Sequence, residues 1–411
     1  MNFDILLRKY AELIVKSGLS VKEGQIVCVS ALIEAAPLTR LVAEAAYAAG
    51  AREVVVRWND EAVQRLKYEH APLSQFEEVP EWFSAYNNGY AAEGACFLTI
   101  DAADPDAMSG IDPKKASAWV KATHTACKPF YDGLDLAKNR WCIAAAPSPK
   151  WACKVFPGLP EEEAVSRLWA AILKAVRVEE TGDPVAAWEE HHKSFQERIR
   201  TLNSLQLDRL HYQNSLGTDI TVGMPEGHCW AGGGAETTDG VSFFPNMPTE
   251  EIFASPDRSR ADGTVYSALP LNYHGSLIDR FWLRFAGGKV ADFGAETGYD
   301  VLKAILETDE GASHLGEVAL VPARSPISEM GILFYNTLFD ENAACHFAVG
   351  KGFAECLEGG LAMSEEEQAA HGLNDSAAHV DFMIGTPDLS ITGYTRDGKA
   401  VPIFTDGNWA I

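Results

Sequence analysis

Apolar residues in the first half of the chain follow two alternating patterns. Residues 3–17 carry apolar side chains at helical spacing, and Gly18 follows as a helix-ending residue. The next segment, GQIVCVSA at residues 24–31, is a continuous apolar run with the length of a buried strand. The same alternation predicts further helices at 36–50, 159–176 and 183–205, and further strands at 52–58, 95–101 and 140–147. Apolar strands separated by amphipathic helices are typical of an α/β domain with a mostly parallel sheet.

The second half has a different pattern, in which neighbouring strands replace the helix and strand pairs. LHYQNSLGTDITVGMP (210–225) is predicted to form two strands joined at Leu216-Gly217. HGSLIDRFWLRFAGGKVADFGAE (274–296) is predicted to form two strands joined by a Gly-Gly turn, with one helix near 298–308. We therefore expect two domains. An α/β domain spans 1–205, and an α+β domain rich in antiparallel strands spans 206–411.

Charge and cysteine usage narrow the classes of function. The formal net charge is −24, from 58 acidic residues against 34 lysines and arginines. Such an excess disfavours binding to nucleic acid or to anionic membranes, because both require basic patches. No apolar run of about 18 residues is present, which argues against a membrane span. The eight cysteines form no C-x-x-C pair, and the N-terminal residues lack a signal-peptide pattern, so the expected location is the cytoplasm.

Common catalytic motifs are absent from the sequence. It contains no G-x-x-x-x-G-K-[ST], no H-E-x-x-H and no G-x-S-x-G. Acidic residues and histidines in apolar surroundings form a different pattern, which recurs in four segments of the second half. These segments are PTEEIF (248–253), GEVALVP (316–322), LFDENAACHFAVG (338–350) and HVDFMIG (379–385).

Strand alternation indicates which side chains in these segments share a face. In HVDFMIG, His379 and Asp381 lie on one face, opposite three apolar residues. In PTEEIF, Glu250 and Glu251 face opposite sides, so we expect only one of them to point inward. Glu317 stands directly before a run of four apolar residues, where a carboxylate is costly unless it is paired or bound to a metal.

Taken singly, each of these residues has an ordinary structural explanation, such as a helix cap or a hydrogen-bonded core histidine. Together, several carboxylates and two imidazoles without nearby lysine or arginine would repel one another unless a cation held them. Mixed His, Asp and Glu ligation suits Zn²⁺, Co²⁺ or Mn²⁺ better than Ca²⁺. Five or more ligands exceed the needs of one open catalytic zinc and fit two ions with a bridging carboxylate, about 3.5–4 Å apart.

Four stretches carry a resemblance to a known family. NMPTEEIFASPDRSRADGTV, GASHLGEVALVPARSPI, NTLFDENAACHFAVG and HVDFMIGTPDLSITG strongly resemble the aminopeptidase T / aminopeptidase S (PepS) family of two-metal exopeptidases. The resemblance covers nearly the whole chain, with its specific motifs between about residues 245 and 395. It implies that Glu317 bridges the metals and that Glu341 is a further ligand or lies close to them. The other ligands it implies are Glu251, His346, His379 and Asp381.

The resemblance also implies an architecture and a reaction. The expected fold is a Rossmann-like N-terminal α/β domain followed by a C-terminal metal domain, and the expected assembly is a homodimer. The expected reaction removes N-terminal amino acids from peptides with a free N-terminus, through a water activated by two divalent ions. Glu317 and Glu250 are the expected catalytic carboxylates, with Glu250 as the candidate proton shuttle because its neighbour is taken as a ligand. We expect Zn²⁺ or Co²⁺, with Mn²⁺ or Mg²⁺ as alternatives.

One position departs from the family pattern. The family usually has a tyrosine seven residues after the histidine of the third motif, and this chain has Phe353 there. A phenyl ring can neither ligate a metal nor donate a hydrogen bond to an oxyanion. Phe353 therefore keeps open the alternative of a metal-binding protein with weakened turnover. A two-metal hydrolase of a non-peptide amide or ester is a second alternative, because it would use the same ligands.

Overall fold

Helices and a parallel sheet occupy the first 205 residues. The computed structural model describes residues 3–273 and 275–411, so Met1, Asn2 and the His274 that opens the predicted hairpin segment lie outside the described residues. The helices are α1 (Phe3–Leu13), α2 (Ala36–Ala48), α3 (Glu61–His70), α4 (Glu81–Ala92), α5 (Pro113–Ala126), α6 (Lys128–Asp135), α7 (Pro149–Val155), α8 (Glu161–Ala175) and α9 (Pro184–Leu205). A π-helical turn, Ile14–Gly18, continues α1 to the predicted stop.

Four parallel strands form the sheet of this half. They are β1 (Ile26–Leu32), β2 (Glu53–Asn59), β3 (Cys96–Asp101) and β4 (Trp141–Ala145), in the spatial order β2-β1-β3-β4. All three pairings are parallel, which confirms the predicted parallel sheet and its four strands. Helices α3 to α7 were not predicted. The described residues of α3 include none that is buried, so its sequence offers little of the apolar periodicity that identifies a helix.

The remaining chain is mostly antiparallel. Its helices are α10 (Tyr299–Leu306), α11 (Thr337–Asp340) and α12 (Glu365–Ala370). Its strands are β5 (Leu207–Gln213), β6 (Asp219–Gly223), β7 (Ala231–Gly232), β8 (Ala235–Glu236), β9 (Ser242–Phe243), β10 (Ile252–Ala254), β11 (Ala261–Tyr266), β12 (Leu271–Tyr273), β13 (Ser276–Ala286), β14 (Lys289–Thr297), β15 (Leu315–Leu320), β16 (His346–Gly350), β17 (His379–Met383), β18 (Ser390–Thr395), β19 (Ala400–Thr405) and β20 (Asn408–Trp409). The predicted pairs β5–β6 and β13–β14 and the helix α10 are confirmed.

The described chain divides into two compact units. The first runs to His191 and also takes in Gly234–Pro248, which carries the short β8–β9 pair. The second contains His192–Gly233 and Thr249–Ile411. The division therefore falls inside α9, whereas the boundary expected from the sequence lies at the end of that helix. All the candidate site residues belong to the second unit.

Two antiparallel sheets build the core of the second unit. A five-stranded sheet has the order β17-β16-β15-β10-β7, and a nine-stranded sheet has the order β12-β13-β11-β6-β5-β18-β19-β20 with β14 paired to β13. Aromatic side chains from the two sheets meet in the core. The ring of Phe347 lies 4.8 Å from that of Tyr212, and the ring of Phe382 lies 5.6 Å from that of Phe281. Burial of such rings is the main source of stability in this sandwich.

Within residues 3–273 and 275–411, no helix combines the length and apolar character needed to cross a membrane.

Acidic residues of the first unit follow the ends of β1, β2 and β3. The Glu61 carboxylate accepts hydrogen bonds from the Asp104 backbone N–H at 3.1 and 3.2 Å. Burial, together with the nearby charges of Asp104, Asp101 and Glu34, raises the pKa of Glu61 to about 7 against that hydrogen bond. Ionisation of Glu61 therefore costs folding free energy.

We predict that replacing Glu61 with glutamine stabilises the protein at pH 8 but not at pH 5. Because the pKa is raised in the folded state, stability falls as pH rises from about 4.5 to about 7, and glutamine avoids this loss. After discounting for partial exposure, the gain at pH 8 is roughly 1 kcal/mol, or about 2–4 °C in Tm. Thermal melts at both pH values, with the exposed Glu78→Gln as control, measure it. An equal shift of Tm at pH 5 and pH 8 would contradict the prediction.

Candidate metal centre

Strand register places the predicted ligands on one face of the five-stranded sheet. Glu317 of β15 and Asp381 of β17 both lie opposite Ala348 of β16. His346 of β16 lies opposite Ala319, and His379 lies opposite Gly350. Since side chains two residues apart share a face, these acidic and imidazole groups converge on the same side of the sheet.

The opposite face of the same strands is the core of the unit. Five apolar residues alternate with the ligand-face residues, and all five belong to the buried apolar cluster between the sheets. They are Val318, Phe347, Val349, Val380 and Phe382. Alternate residues of each strand therefore face either the apolar core or the candidate ligand cluster. Hydrophobic packing on one side fixes the strand positions that aim the polar groups on the other.

A bulge and small residues shape the ligand face. The register between β15 and β16 shifts between Leu315 and Glu317, and such irregularities commonly redirect side chains beside active sites. Ala348 contributes only a methyl group between Glu317 and Asp381. Gly350 has φ of +107°, and a Cβ there would lie 2.1 Å from the Ala378 carbonyl oxygen, so only glycine fits opposite His379.

Two groups of possible ligand atoms share one carboxylate. Glu251, Glu317 and His346 form the first group, and Glu317, His379 and Asp381 form the second. Within each group the ligand atoms lie within 4.8 Å of one another. His346 Nε2 is 3.2 Å from a Glu251 oxygen, and His379 Nε2 is 3.1 Å from Glu317 and 3.3 Å from Asp381. Glu317 is thus the geometric link between the groups.

The backbone orients both imidazoles. His379 Nδ1 lies 2.7 Å from the Lys351 carbonyl oxygen, and His346 Nδ1 lies 3.2 Å from the Ala344 carbonyl oxygen. A carbonyl oxygen can only accept, so the proton of each neutral imidazole belongs on Nδ1. The lone pair of each Nε2 then points at carboxylate oxygens, which is favourable only with a cation or an extra proton between them.

The electrostatics of the cluster reflect this crowding. Burial by itself lowers the pKa of His346, but the contact with Glu251 and the charges of Glu317 and Asp381 outweigh it and raise it to about 10. Burial also opposes protonation of His379, yet Asp381 and Glu317 hold its pKa well above the usual range. Burial raises the pKa of Glu317, partly offset by the hydrogen bond from His379. Without a cation between them and the carboxylates, both imidazoles therefore favour their protonated forms, and a bound metal ion would take the place of those protons.

The donor set fits divalent metal ions. Within the described part of the chain, neither lysine nor arginine forms an ion pair with Glu251, Glu317 or Asp381. Buried carboxylates without such partners require another source of positive charge. Nitrogen and carboxylate oxygen donors together are typical of Zn²⁺, Co²⁺ and Mn²⁺ sites.

Glu341 and Glu250 belong to neither of the two groups. Desolvation raises the pKa of Glu341 well above its usual range, and the charges of Glu251, Asp381 and Glu317 add to this effect. Glu341 therefore lies close to the cluster. Glu250 is only 7% exposed, so the expectation that Glu250 and Glu251 face opposite sides does not leave Glu250 in solvent.

Asn342 connects the segments that carry these two glutamates, and this role was not predicted from the sequence. Its side-chain oxygen accepts a hydrogen bond from the Glu250 N–H at 2.6 Å. Its amide nitrogen donates to the Leu338 carbonyl at 2.9 Å and lies 3.4 Å from a Glu341 oxygen. Asn342 is fully buried, so its place between an acid and an apolar run was the only available signal.

Asp340 holds the segment that precedes Glu341. Its carboxylate accepts hydrogen bonds from the N–H groups of Phe334 at 2.8 Å and Asn336 at 3.0 Å. Asn336 in turn caps α11 by accepting from the Leu338 N–H. Burial raises the pKa of Asp340 to about 7 despite these hydrogen bonds. Asp340 therefore fixes backbone near the cluster without belonging to either ligand group.

Phe353 lies directly against the cluster. Its ring centroid is 4.9 Å from that of His379 and 5.4 Å from that of Phe253. The Phe353 backbone N–H donates to Ser255 Oγ at 2.8 Å, which fixes the segment. The position that departs from the expected tyrosine thus contacts a candidate ligand through an apolar ring.

Comparison with known proteins agrees with this geometry. Residues 3–409 match the family described as thermophilic metalloprotease (M29). Aminopeptidase 2 of Geobacillus stearothermophilus is 46% identical over 404 residues, covering 98% of this chain and 97% of that protein. Aminopeptidase AmpS of Bacillus subtilis (strain 168) is 46% identical over 409 residues, covering 100% of this chain and 99% of that protein.

A solved structure extends the match to the fold. Wild-type AmpT from Thermus thermophilus superimposes with a TM-score of 0.92 at 40% identity, and the match covers 100% of both chains. Family match, sequence identity and fold agree over the full length of the chain. This protein therefore belongs to the thermophilic metalloprotease (M29) family.

Proposed function

We propose that this protein is a metal-dependent aminopeptidase that holds two divalent ions between the ligand groups joined by Glu317. The observation that carries the proposal is the sharing of one buried carboxylate by two sets of three donors. Relatives named aminopeptidases, in a metalloprotease family, support a peptide substrate. They do not favour a non-peptide hydrolase or a metal-binding protein without turnover.

In this proposal the residues have separate tasks. Glu251 and His346 would hold one ion, His379 and Asp381 would hold the other, and Glu317 would be shared by both. Glu341 is a further ligand or a close neighbour that adds negative charge. Bound ions of this kind polarise a peptide carbonyl and lower the pKa of a water molecule. Zn²⁺ or Co²⁺ suits the donors best, with Mn²⁺ or Mg²⁺ as alternatives.

Proton transfer is assigned to Glu250. Its Oε atoms take a proton from the attacking water and return it to the nitrogen of the leaving amine. The hydrogen bond from the Glu250 N–H to Asn342 supports a fixed position for this carboxylate. Because Asn342 also lies beside Glu341, one amide side chain keeps the two acidic segments in register.

The negative charge of the cluster also suits an incoming ammonium group. Substrates are peptides with a free N-terminus, whose positive charge is attracted by the carboxylates. The His379 and Asp381 side chains are 26% and 14% exposed, whereas those of Glu317 and His346 are 5% and 1% exposed. Substrate approach from the side of His379 and Asp381 follows from this difference.

The cellular setting is part of the same proposal. All eight cysteines are free thiols, and six of them are buried, which suits a reducing cytoplasm. The acidic net charge gives no basis for nucleic-acid binding. Assembly as a homodimer is proposed from the family resemblance and is measured by sedimentation equilibrium.

Metal removal is expected to abolish activity reversibly. Dialysis against a chelator should reduce hydrolysis of dipeptides to background, and Zn²⁺, Co²⁺, Mn²⁺ and Mg²⁺ added separately should restore it to different extents. The metal-free protein should also melt at a lower temperature, because ions at about 100 times their Kd add about 2.7 kcal/mol of stability. Full activity after complete metal removal would rule out the proposal.

Ligand substitutions should remove the ions in a defined pattern. His346→Ala and His379→Ala should each lower the metal content from two ions per chain to one. Glu317→Ala should remove both, since loss of a direct ligand exceeds the roughly 10–100-fold cost of losing an outer partner. Metal analysis after gel filtration measures the content.

The control for these substitutions is His211→Ala, because His211 pairs with Asp219 at the surface and lies outside both groups. This variant should keep two ions per chain. Two ions retained in Glu317→Ala would contradict the bridging role.

The adjacent glutamates provide a matched pair of variants. Glu251→Gln should lose metal, whereas Glu250→Gln should keep it and lose turnover. The expected fall in kcat for Glu250→Gln is about 10²–10⁴-fold with KM nearly unchanged, since general acid–base catalysis contributes that range. Metal analysis together with steady-state kinetics separates the two roles. A Glu250→Gln variant with unchanged kcat would exclude Glu250 as the proton shuttle.

A further inference from the structure

Phe253 stands on the ligand face of the sheet, next to the candidate metal centre. It lies opposite Ala319 of β15 and Ala231 of β7. Alternation along β10 puts Phe253 on the same side as Glu251, two residues earlier. Both cross-strand neighbours are alanines, so they cover little of the phenyl ring. Phe253 is accordingly half-buried rather than buried.

Phe353 completes an apolar wall with Phe253. Their ring centroids are 5.4 Å apart with an interplanar angle of 67°, an edge-to-face contact. The ring centroid of Phe353 also lies 4.9 Å from that of the His379 imidazole, and Phe353 too is half-buried. Core aromatic residues of this unit, such as Phe347 and Phe382, are at most 2% exposed. Two large apolar rings left partly open beside a polar cluster form a surface suited to an apolar group.

The wall lies on the side from which substrate approaches. His379 is the most exposed histidine of the cluster, and Phe353 is the ring that contacts it. The N-terminal residue of a peptide has its amine, its carbonyl and its side chain on one Cα atom. When the amine and carbonyl occupy the cluster, the side chain lies within one residue's reach of the Phe353 and Phe253 rings.

We propose that Phe253 and Phe353 form the subsite for the side chain of the substrate's N-terminal residue, and that this subsite selects apolar side chains such as those of leucine and phenylalanine. The inference rests on the proposed aminopeptidase function and adds its substrate class. Acidic N-terminal residues are disfavoured twice, because the rings offer them no hydrogen bond and the surrounding carboxylates repel them.

The test compares aminoacyl p-nitroanilides that share one leaving group and differ in the side chain. In the metal-loaded wild type, kcat/KM for the leucyl substrate should exceed that for the alanyl substrate by at least about 10-fold, and that for the glutamyl substrate by more. Phe253→Ala and Phe353→Ala should each lower the leucyl-to-alanyl ratio at least about 5-fold, mainly through KM for the leucyl substrate. Phe353→Tyr keeps the ring and should keep the ratio.

Controls separate the subsite from general effects. Phe293→Ala removes a half-buried ring of β14, in the nine-stranded sheet, that stacks on Tyr299 of α10, and it should leave the ratio unchanged. Metal content should stay at the wild-type value in the Phe253 and Phe353 variants. If either alanine variant fails to fold, Phe253→Leu and Phe353→Leu keep apolar volume, and they should lower the ratio of phenylalanyl to leucyl turnover.

The outcomes distinguish this inference from the function on which it rests. A metal-loaded wild type that cleaves no aminoacyl substrate would overturn both. A wild type that cleaves glutamyl or alanyl substrates as well as leucyl ones would overturn the subsite and leave the aminopeptidase function standing. A leucyl-to-alanyl ratio in both alanine variants equal to that of the wild type would also overturn the subsite and leave the aminopeptidase function standing.

Discussion

Mutual repulsion among buried carboxylates is the constraint on which the candidate site depends. Glu251, Glu317 and Asp381 are packed together with two imidazoles whose Nδ1 atoms are committed to backbone carbonyls. Such an arrangement is stable only with added positive charge, from protons or from metal ions. The apolar contacts on the reverse of the sheet supply the free energy that holds these groups in place. The same strands therefore determine both the stability of the sandwich and the positions of the candidate ligands.

The supports of the site are as informative as the ligands. Asn342 joins the backbone of Glu250 to the segment of Glu341, and Asp340 organises the backbone before α11. Neither side chain belongs to a ligand group, yet each fixes a segment that carries a carboxylate. Outer contacts of this kind orient ligands and limit their motion. The centre is thus an assembly of four chain segments, each fixed by hydrogen bonds or strand pairing.

Local sequence patterns predicted the strands well and their long-range pairing poorly. The strands of the parallel sheet were predictable because their apolar runs are continuous, whereas α3 buries no described residue and left no clear pattern. Glu317 and His379 stood out because charge beside apolar residues is costly. Asn342 and Phe253 carry no charge, so nothing marked them. The adjacency of β10 and β15, more than sixty residues apart along the chain, is a tertiary contact that periodicity does not encode.

Strands with one apolar face and one ligand face limit the insertions and deletions that this protein can accept. In β15, β16 and β17 each residue faces either the core or the cluster, so deletion or insertion of a single residue would exchange the two sets. Valine and phenylalanine would then meet the carboxylates, and acids would enter the sandwich. Length variation in these strands is therefore costly, whereas the turn at Gly398 has open space around it. Changes of chain length are therefore tolerated in exposed turns remote from the cluster and not in these three strands.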